Sequence, residues 1–512
     1  MDISLGIKIE IDNCGWLGKM EIFKNGLINY KDFSLRITIR HELAIFVAIQ
    51  LKINIYVNEI YLYVMNSIMK QPNIIIIVAD TMRLDALSIY NKNINTPAVD
   101  LFSKDSIIYN NAIAPAPWTI PSHASLFTGK YVSEHKIHES EEIKDFDLNI
   151  NMNHNKFPTI AEKLNKDGYN TLGISANVNI VPGSGFDKGF NNFYYSKNVY
   201  YNIIKNYLMR DNNIISADKI GTGQKKLGVL KTLFMDEGLN GLVRLYNLSS
   251  LFKNGYDGFY YDKGGYDTLD HIENSSFKSP FLLFLNFIEM HDPYIKNDPL
   301  GTDKGLKSLF GYININPKTK NNIRKQYFQR SIIFDYYFGR LIRFLKYNNI
   351  YDDTLIILTS DHGQQLYENN YYGHGLYLTD ELIRIPLIIK YPGNMHSVDN
   401  DVISLTNLKD IIISDFSNIN NRPKYVFSES YGLHMDTRQI ENLDGYAKRK
   451  KDIDIRRKSI VSNDYKMVIN QKGYIEELKY KGKKIDVEDN REITIKLNEE
   501  LDIFIGNEKF YS

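Results

Sequence analysis

The stretch Trp118–Lys130 reads WTIPSHASLFTGK and has the pattern of a short helix with an exposed front end. Pro121 suits the first helical turn, where its missing N–H would have no partner, and Gly129 suits the residue just past the end. We therefore expect Thr119 to lie just ahead of the helix, where free N–H groups and the helix dipole favour a phosphate or sulfate group. A hydroxyl at that place is a candidate nucleophile, and its alternative role is to cap the helix.

Three buried strands are predicted elsewhere in the chain, and each of them ends in polar residues. The apolar runs Asn73–Ala79, Phe281–Ile288 and Thr354–Ser360 are typical of strands buried on both faces of a parallel sheet. The polar residues that follow are Asp80 after the first run, Glu289, His291 and Asp292 after the second, and Asp361 and His362 after the third. Sites in open α/β sheets form at the carboxyl ends of the strands, so we expect these side chains to converge.

Helical patterns lie between these strands. Thr159–Glu162 has the form of a capping box that opens a helix ending near Gly168, and apolar residues recur at helical spacing from Arg324 to Tyr347. This alternation predicts an α/β fold in which helices cover a mostly parallel central sheet.

The chain is expected to contain one main domain with several additions. The main domain is expected at residues 71–420, with a variable insertion at residues 195–272. The other parts are an N-terminal extension of uncertain role at residues 1–70 and a small C-terminal α+β subdomain at residues 421–512. Within that subdomain, the segments Lys458–Val461, Tyr465–Ile469 and Ile493–Leu497 are predicted as short strands of an antiparallel sheet.

Composition excludes several classes of protein. Hydrophobic residues make up 43% of the 512 residues and charged residues 24%, which is ordinary for a globular protein and not for a disordered one. The net charge of +1 gives no general attraction to nucleic acid, so no nucleic-acid partner is expected. Cys14 is the single cysteine, which excludes an intrachain disulfide. The N-terminus carries charges where a secretory signal needs an apolar run, and Leu43–Met65 is too polar for a membrane span, so a cytoplasmic location is expected.

Asp80, Thr119, Asp361 and His362 together have the chemistry of a cation site. Carboxylate, hydroxyl and imidazole ligands suit Mg²⁺, Mn²⁺, Ca²⁺ or Zn²⁺, and the ligand types alone do not distinguish these ions. A divalent cation would lower the pKa of a threonine hydroxyl, which is a poor nucleophile without assistance. By contrast, a lone histidine such as His135 is predicted to have a structural role.

Four ordered motifs resemble the sulfatase family of the alkaline phosphatase superfamily. They read PNIIIIVADTMRLD, WTIPSHASLFTGK, FIEMHDPY and SDHG, and the resemblance covers roughly residues 71–470. It implies an alkaline-phosphatase-like three-layer α/β/α sandwich with a small antiparallel C-terminal subdomain. It also implies that Asp80, Asp361 and His362 hold the metal and that Thr119 occupies the nucleophile position. The residues that match family positions contacting the anion or its leaving oxygen are Lys130, His291 and His374.

Three positions depart from the pattern of this family. Sulfatases of the formylglycine type need Cys or Ser in the motif C/S-x-P-x-R, and Thr119 cannot be oxidised to that aldehyde. His123 stands where the family has Arg, which makes it a further candidate catalytic residue, and Thr81 replaces the second metal-binding Asp. A threonine nucleophile resembles instead the phosphodiesterases and the phosphoryl or phosphoglycerol transferases of the superfamily.

The expected activity is metal-dependent hydrolysis of sulfate or phosphate esters, carried by small molecules or glycans, with Thr119 as nucleophile. His291 or His374 is expected to assist the leaving oxygen; if they instead bind a second cation, the site becomes a two-metal phosphoesterase. One alternative is a phosphoryl or phosphoglycerol transferase that uses a glycan or lipid acceptor. Another is a non-catalytic relative that binds a sulfated or phosphorylated ligand.

Overall fold

The structure is a computed structural model, and it divides the chain into two compact units, Met1–Gln71 and Pro72–Ser512. The residues that it describes are 4–11, 18–25, 37–39, 71–138, 152, 155–196, 262–294, 302–368, 371–414, 422–433, 437, 440–506 and 510–511. In the first unit, strands β1 (Ser4–Ile11), β2 (Gly18–Asn25) and β3 (Ile37–Ile39) form an antiparallel sheet in the order β1-β2-β3.

The second unit is built on a large, mostly parallel sheet. Its strands, with the separate hairpin β10–β11, are β4 (Asn73–Ala79), β5 (Ile107–Ile113), β6 (Asn170–Ser175), β7 (Asn192–Tyr195), β8 (Phe281–Phe287), β9 (Thr354–Thr359), β10 (Gln365–Leu366), β11 (Tyr372–Gly373), β12 (Arg384–Lys390), β13 (Ser397–Asp399) and β14 (Ile403–Ser404). Across the sheet the order is β13-β5-β12-β9-β4-β8-β6-β7, with β14 beside β5. Every neighbouring pair is parallel except those of β12, which runs antiparallel to β5 and β9.

The predicted buried strands are confirmed as the centre of this sheet. All residues of β4, β8 and β9 are buried, as their continuous apolar runs predict. Because β4, β5, β6, β8 and β9 point in the same direction, their carboxyl ends lie at one edge of the sheet. The segments that leave those ends are therefore brought together although they are distant in sequence.

Helices cover both faces of the sheet, as expected for a three-layer α/β/α sandwich. The described α-helices between residues 97 and 413 are α1 (Pro97–Ser103), α2 (Thr119–Thr128), α3 (Val132–His135), α4 (Ile160–Lys166), α5 (Gly265–Glu273), α6 (Thr302–Leu309), α7 (Pro317–Tyr347), α8 (Asp380–Ile383) and α9 (Asn407–Ile413). On one face α1 and α5 pack against the long helix α7, and Leu283 and Leu285 of β8 belong to that core. On the other face Phe284 meets Phe127 of α2 with ring centroids 4.8 Å apart. The alternation of β8 side chains thus separates the two helical layers.

Part of the predicted insertion at residues 195–272 belongs to the core. Leu269 and Ile272 lie on one side of α5 and are buried against the layer that contains α7, because their spacing of three residues places them on one helical face. Residues 197–261 of that prediction lie outside the described residues.

The C-terminal part of the chain forms a second, antiparallel sheet. Its elements are β15 (Val426–Ser430), α10 (Tyr446–Ile453), β16 (Arg457–Val461), β17 (Tyr465–Asn470), β18 (Ile475–Tyr480), β19 (Lys483–Lys484) and α11 (Arg491–Ile505). The strands pair in chain order. The prediction of a strand at Ile493–Leu497 is wrong, since that segment lies inside α11, whose Leu497 and Leu501 are buried at helical spacing. Within the described ranges, no helix is both long and apolar enough to cross a lipid bilayer.

Candidate active site

Asp80, Asp361 and His362 meet at the carboxyl edge of the large sheet, where β4 and β9 end. The Nε2 atom of His362 lies 3.3 Å from Asp361 Oδ2 and 3.9 Å from Asp80 Oδ1. One ligand atom from each residue falls within 4.8 Å of the other two, and all three side chains are fully buried. We call these residues the ligand cluster.

The ligand cluster has the donor set that a divalent cation requires. Asp80 Oδ1 and Asp361 Oδ2 are buried oxygens without a hydrogen-bond partner. The Nδ1 atom of His362 lies 2.8 Å from the carbonyl oxygen of Gly363, which can only accept, so Nδ1 carries the proton and Nε2 presents its lone pair to the two carboxylates. The two carboxylate oxygens that lack a partner are costly to bury, and a cation held between them and Nε2 of His362 would remove that cost.

Titration of the ligand cluster fits the same interpretation. Burial, followed by the nearby charge of Asp361, raises the pKa of Asp80 above its ordinary value, and burial likewise raises the pKa of Asp361. Burial lowers the pKa of His362 to about 4, so the ring is neutral at pH 7 and its nitrogen is free to act as a ligand. Positive charge placed here would stabilise the ionised carboxylates.

The structure brings Thr119 to the ligand cluster. Its hydroxyl oxygen lies 3.3 Å from Nε2 of His362. Thr119 is the first residue of α2 and not the residue ahead of it, because the extended backbone of Trp118 takes the cap position. The helix ends at Gly129, whose left-handed conformation (φ 69°) matches the predicted stop signal. The hydroxyl thus faces the histidine, and the alternative of a helix-capping threonine is not what the geometry favours.

His123 lies one turn further along α2 and fixes the front of that helix. Its Nδ1 atom donates to the carbonyl oxygen of Thr119 at 2.9 Å and lies 3.4 Å from Asp361 Oδ2, while its Nε2 atom is 2.8 Å from the amide nitrogen of Asn286. The hydroxyl of Ser122 donates to the carbonyl oxygen of Asp361 at 2.6 Å. His123 is completely buried, and its contacts hold Thr119 and the ligand cluster in place.

His291 and His374 approach the cluster from two other segments. The ring of His374 lies 4.7 Å from that of His362 and 5.3 Å from that of His291, measured between centroids. Burial by itself lowers the pKa of His291, but the charge of Asp292, 2.7 Å away, and its hydrogen bond outweigh burial and raise that pKa to about 9. His291 is therefore protonated at neutral pH and can act as an acid.

The structure places Lys130 at the opposite end of α2 from Thr119. Thr119 is the first of the ten residues of α2, a helix about 15 Å long, and Lys130 follows its other end. Its ammonium group pairs with Glu134 at 3.0 Å, and 39% of its side chain is exposed. Its ion pair is therefore with Glu134 and not with a residue of the ligand cluster.

Three site residues escaped the sequence interpretation. Asn177 donates to Asp80 Oδ2 at 2.6 Å, and it could have been found because it lies just past the end of β6, at the same edge of the sheet. Asn286 lies inside β8, where no local signal marks it. Lys263 donates to the carbonyl oxygen of His291, and it lies within the predicted insertion at residues 195–272.

Relatives of the chain are found by sequence. A family profile described as Sulfatase matches residues 72–414, more than half of the chain. The chain is 24% identical over 383 residues to an arylsulfatase of Clostridium perfringens, an alignment that covers 68% of this chain and 75% of that protein. It is 23% identical over 335 residues to an ulvan-active sulfatase of Formosa agariphila, which covers 63% of this chain and 57% of that protein.

A solved structure shares the fold. The phosphonate monoester hydrolase of Agrobacterium radiobacter superimposes with a TM-score of 0.58 at 16% identity, over 85% of this chain and 95% of that one. This likeness shows a shared fold over most of the chain. The chain therefore belongs to the sulfatase family of the alkaline phosphatase superfamily and is a sulfatase-like ester hydrolase.

Proposed function

We propose that the chain is a metal-dependent hydrolase of sulfate or phosphate esters and that Thr119 is its nucleophile. The observation that carries this proposal is the position of the Thr119 hydroxyl, 3.3 Å from His362 Nε2 and beside the unpartnered oxygens of Asp80 and Asp361. A hydroxyl at the start of a helix, next to a cation site, has the surroundings that an anionic ester requires.

The ligand cluster would hold the cation through Asp80, Asp361 and His362, with the hydroxyl of Thr119 next to it. When bound, a divalent cation lowers the pKa of the adjacent hydroxyl and neutralises charge that develops on the ester oxygens. Because the residues offer mixed oxygen and nitrogen donors, Mg²⁺, Mn²⁺, Ca²⁺ and Zn²⁺ all belong in the test.

Residues of the chain carry out the remaining steps. Thr119 Oγ1 loses its proton to solvent and bonds to the central phosphorus or sulfur atom, while the bond from that atom to the leaving oxygen breaks. His291, whose pKa of about 9 keeps it protonated, donates a proton to the leaving oxygen. The neutral ring then accepts a proton from the water that attacks the central atom of the Thr119 ester. The bond from that atom to Oγ1 breaks, Oγ1 regains a proton from solvent, and free phosphate or sulfate leaves, so both residues are restored. His374 is near enough to His291 to take the same role.

Phosphorus esters are the preferred substrates in this proposal. Thr119 cannot form the aldehyde of formylglycine sulfatases, so its hydroxyl must attack directly, as in the threonine-dependent phosphodiesterases that the sequence resembles. The two relatives named above are by name an arylsulfatase and a sulfatase active on ulvan, which supports including aryl and glycan sulfates among the candidates.

The test is a substrate panel on the purified full chain loaded with each of the four cations. Aryl sulfates, phosphate monoesters, phosphodiesters and phosphonates are compared, and metal content is measured to decide between one and two ions per chain. Turnover of phosphorus esters, with a phosphoryl group trapped on Thr119 and detected by mass spectrometry, is the expected result. Turnover confined to sulfate esters would contradict the preference for phosphorus, and full activity in Thr119→Ala would contradict the nucleophile.

A further inference from the structure

Lys263 lies next to the segment that carries His291, whereas Lys130 lies at the end of α2 opposite Thr119. Lys263 precedes α5, and its ammonium group donates a hydrogen bond to the carbonyl oxygen of His291. The same nitrogen lies 5.8 Å from the ring centroid of Tyr294. Lys263 thus contacts both sides of the turn that carries the proposed acid.

The backbone around Lys263 is held by two buried carboxylates. Glu289 accepts hydrogen bonds from the backbone N–H groups of Lys263 at 3.3 Å and of Gly265 at 2.9 Å. Asp262 accepts from the hydroxyl of Tyr337 at 2.9 Å, and both acids are at most 1% exposed. A side chain at Gly265 would bring a Cβ within 2.5 Å of the ring of Tyr337. The segment is therefore tightly fixed, which defines the place of the ammonium group.

The ammonium group occupies this place against its own desolvation. Burial and the charge of Arg330 lower the pKa of Lys263 to about 7, whereas the carboxylates of Asp292, Glu289 and Asp80 oppose that shift. The influence of Asp80 connects Lys263 electrostatically with the ligand cluster. A lysine whose pKa is shifted both by burial and by specific carboxylates is typical of functional sites.

We propose that Lys263 is a positioning residue for the anionic group of the substrate. Its hydrogen bond fixes the carbonyl of His291, and thereby the leaving-group acid, while its ammonium form, which a bound anion favours, adds positive potential at the site. This inference rests on the proposed function and names a further residue for it.

The experiment compares Lys263→Met and Lys263→Arg with Lys130→Met, which removes the same charge from a lysine outside the site. Affinity for inorganic phosphate is measured by calorimetry on the Mn²⁺-loaded full chain, together with kcat, KM and Tm. Since charge-assisted hydrogen bonds are the strong ones, Lys263→Met is expected to weaken phosphate binding and kcat/KM by about tenfold to hundredfold. Lys263→Arg should recover phosphate affinity to within about fivefold of the parent, and Lys130→Met should match the parent.

Two results would overturn the inference. One is phosphate affinity and kcat/KM in Lys263→Met that stay within about twofold of the parent, a change well below that of one charged hydrogen bond. The other is a fall in Tm with unchanged phosphate affinity, which would make Lys263 a purely structural residue. The proposed function is tested separately by Thr119→Ala: if that variant keeps its turnover while Lys263→Met loses phosphate, the nucleophile is wrong and the role of Lys263 stands.

Discussion

At the residue scale, the hydroxyl of Thr119 faces Nε2 of His362. The other ring nitrogen, Nδ1, carries the proton and donates it to the carbonyl oxygen of Gly363. The ring of His362 therefore presents only a lone pair to the site, and its low pKa keeps it in that form at neutral pH. His123 donates a hydrogen bond to the backbone carbonyl of Thr119, and Ser122 donates one to the backbone carbonyl of Asp361. These contacts fix the positions of the proposed nucleophile and of a ligand residue. The chemistry of the site thus depends on the hydroxyl itself.

Thr119→Ala and Thr119→Ser separate the hydroxyl from the rest of the side chain. Thr119→Ala is expected to lose activity by about a thousandfold or more, because the attacking atom is removed, while Thr119→Ser keeps a measurable fraction. The measurement is kcat/KM under cation saturation. Equal losses in the two variants would show that the side chain matters for packing and not for attack.

The pH dependence of activity should report His291. Since the protonated ring donates to the leaving oxygen, kcat/KM should fall as pH rises through the pKa of about 9. Asp292→Asn removes the charge that raises this pKa, so the alkaline fall should move to lower pH, by about one unit or more. Rate profiles of the two proteins decide this, and profiles that coincide would assign the proton to another group, with His374 the next candidate.

Much of the site was predictable residue by residue from one rule. Polar side chains that follow buried strands gave Asp80, Asp361 and His362, and the same rule applied to β6 would have given Asn177. The role predicted for Lys130 rests on a match to a family position, whereas the structure places Lys130 past the end of α2, with Thr119 at the start of that helix. Lys263 belongs to a segment without periodicity, so nothing local indicated its role.

At the element scale, backbone hydrogen bonds fix the turn after β9 to α8. The backbone N–H groups of Gly363 and Gln364 donate to the carbonyl oxygens of Leu382 and Glu381 at 2.8 and 3.0 Å. A Cβ on Gly363 would lie 2.0 Å from the carbonyl oxygen of Glu381, so no other residue fits without moving the turn. The position of the ligand His362 is therefore set by a contact between backbones.

Gly363→Ala should displace the ligand cluster. The displacement is expected to lower cation affinity and kcat/KM by about a hundredfold, since ligand atoms misplaced by an ångström lose their function. Gly168→Ala is the control, because that glycine has left-handed backbone (φ 91°) but no atom within 4 Å of its Cβ position. It should cost stability of about 1 kcal/mol without a change in cation affinity. Cation titrations of both variants give the answer, and equal affinities would contradict the role of the turn.

His135 links α2 to α3 and makes stability depend on pH. It is buried, accepts from the N–H of Ile137 through Nδ1 and donates from Nε2 to Ser125 at 2.9 Å. Burial lowers its pKa from 6.5 to about 3. Between these values the unfolded chain binds a proton that the folded chain does not, so the free energy of unfolding falls as the pH drops below about 6.5.

The corresponding variant is His135→Gln, which no longer titrates. It should be less stable than the parent at pH 7 by about 1–2 kcal/mol, and the difference should shrink at pH 5. Ser125→Ala is the control, since it removes the partner and keeps the imidazole. Denaturant unfolding at pH 7 and pH 5 measures the free energy of unfolding of each variant. If both variants lose the pH dependence of that free energy equally, His135 is not its source.

Elements were predictable where their apolar pattern was long. β4 was predicted to the residue, and the capping box at Thr159 does open α4. The segment Ile493–Leu497 failed because its β-branched residues favour a strand locally, whereas the buried stripe that makes α11 a helix becomes visible only over four turns. Short windows cannot distinguish the two.

At the scale of the whole molecule, the large sheet collects one site from segments that are far apart in the chain. Parallel order makes this inevitable once the strands are recognised, and it made the three-layer fold predictable. The position of β12, antiparallel between β5 and β9, was not predictable, because strand order depends on which buried surfaces meet and not on any single segment.

Removal of the cation should lower the thermal stability of the folded chain. Without a cation, Asp80 and Asp361 are two buried carboxylates that raise the free energy of the folded chain at neutral pH. Chelation is expected to lower Tm, and a cation at a hundred times its Kd adds about 2.7 kcal/mol of stability. Asp80→Asn removes one charge, so it should be less sensitive to chelation than the parent. Thermal unfolding with and without chelator tests this, and a parent Tm that ignores the chelator would argue against a resident ion.

Helix α2 has all ten of its residues buried, although most helices of this size keep one side in water. In such a helix, a substitution at any position is expected to disturb packing. A library of every single replacement across residues 119–128, selected for function, should return one unbroken block of intolerance and not the three-to-four-residue rhythm of an amphipathic segment.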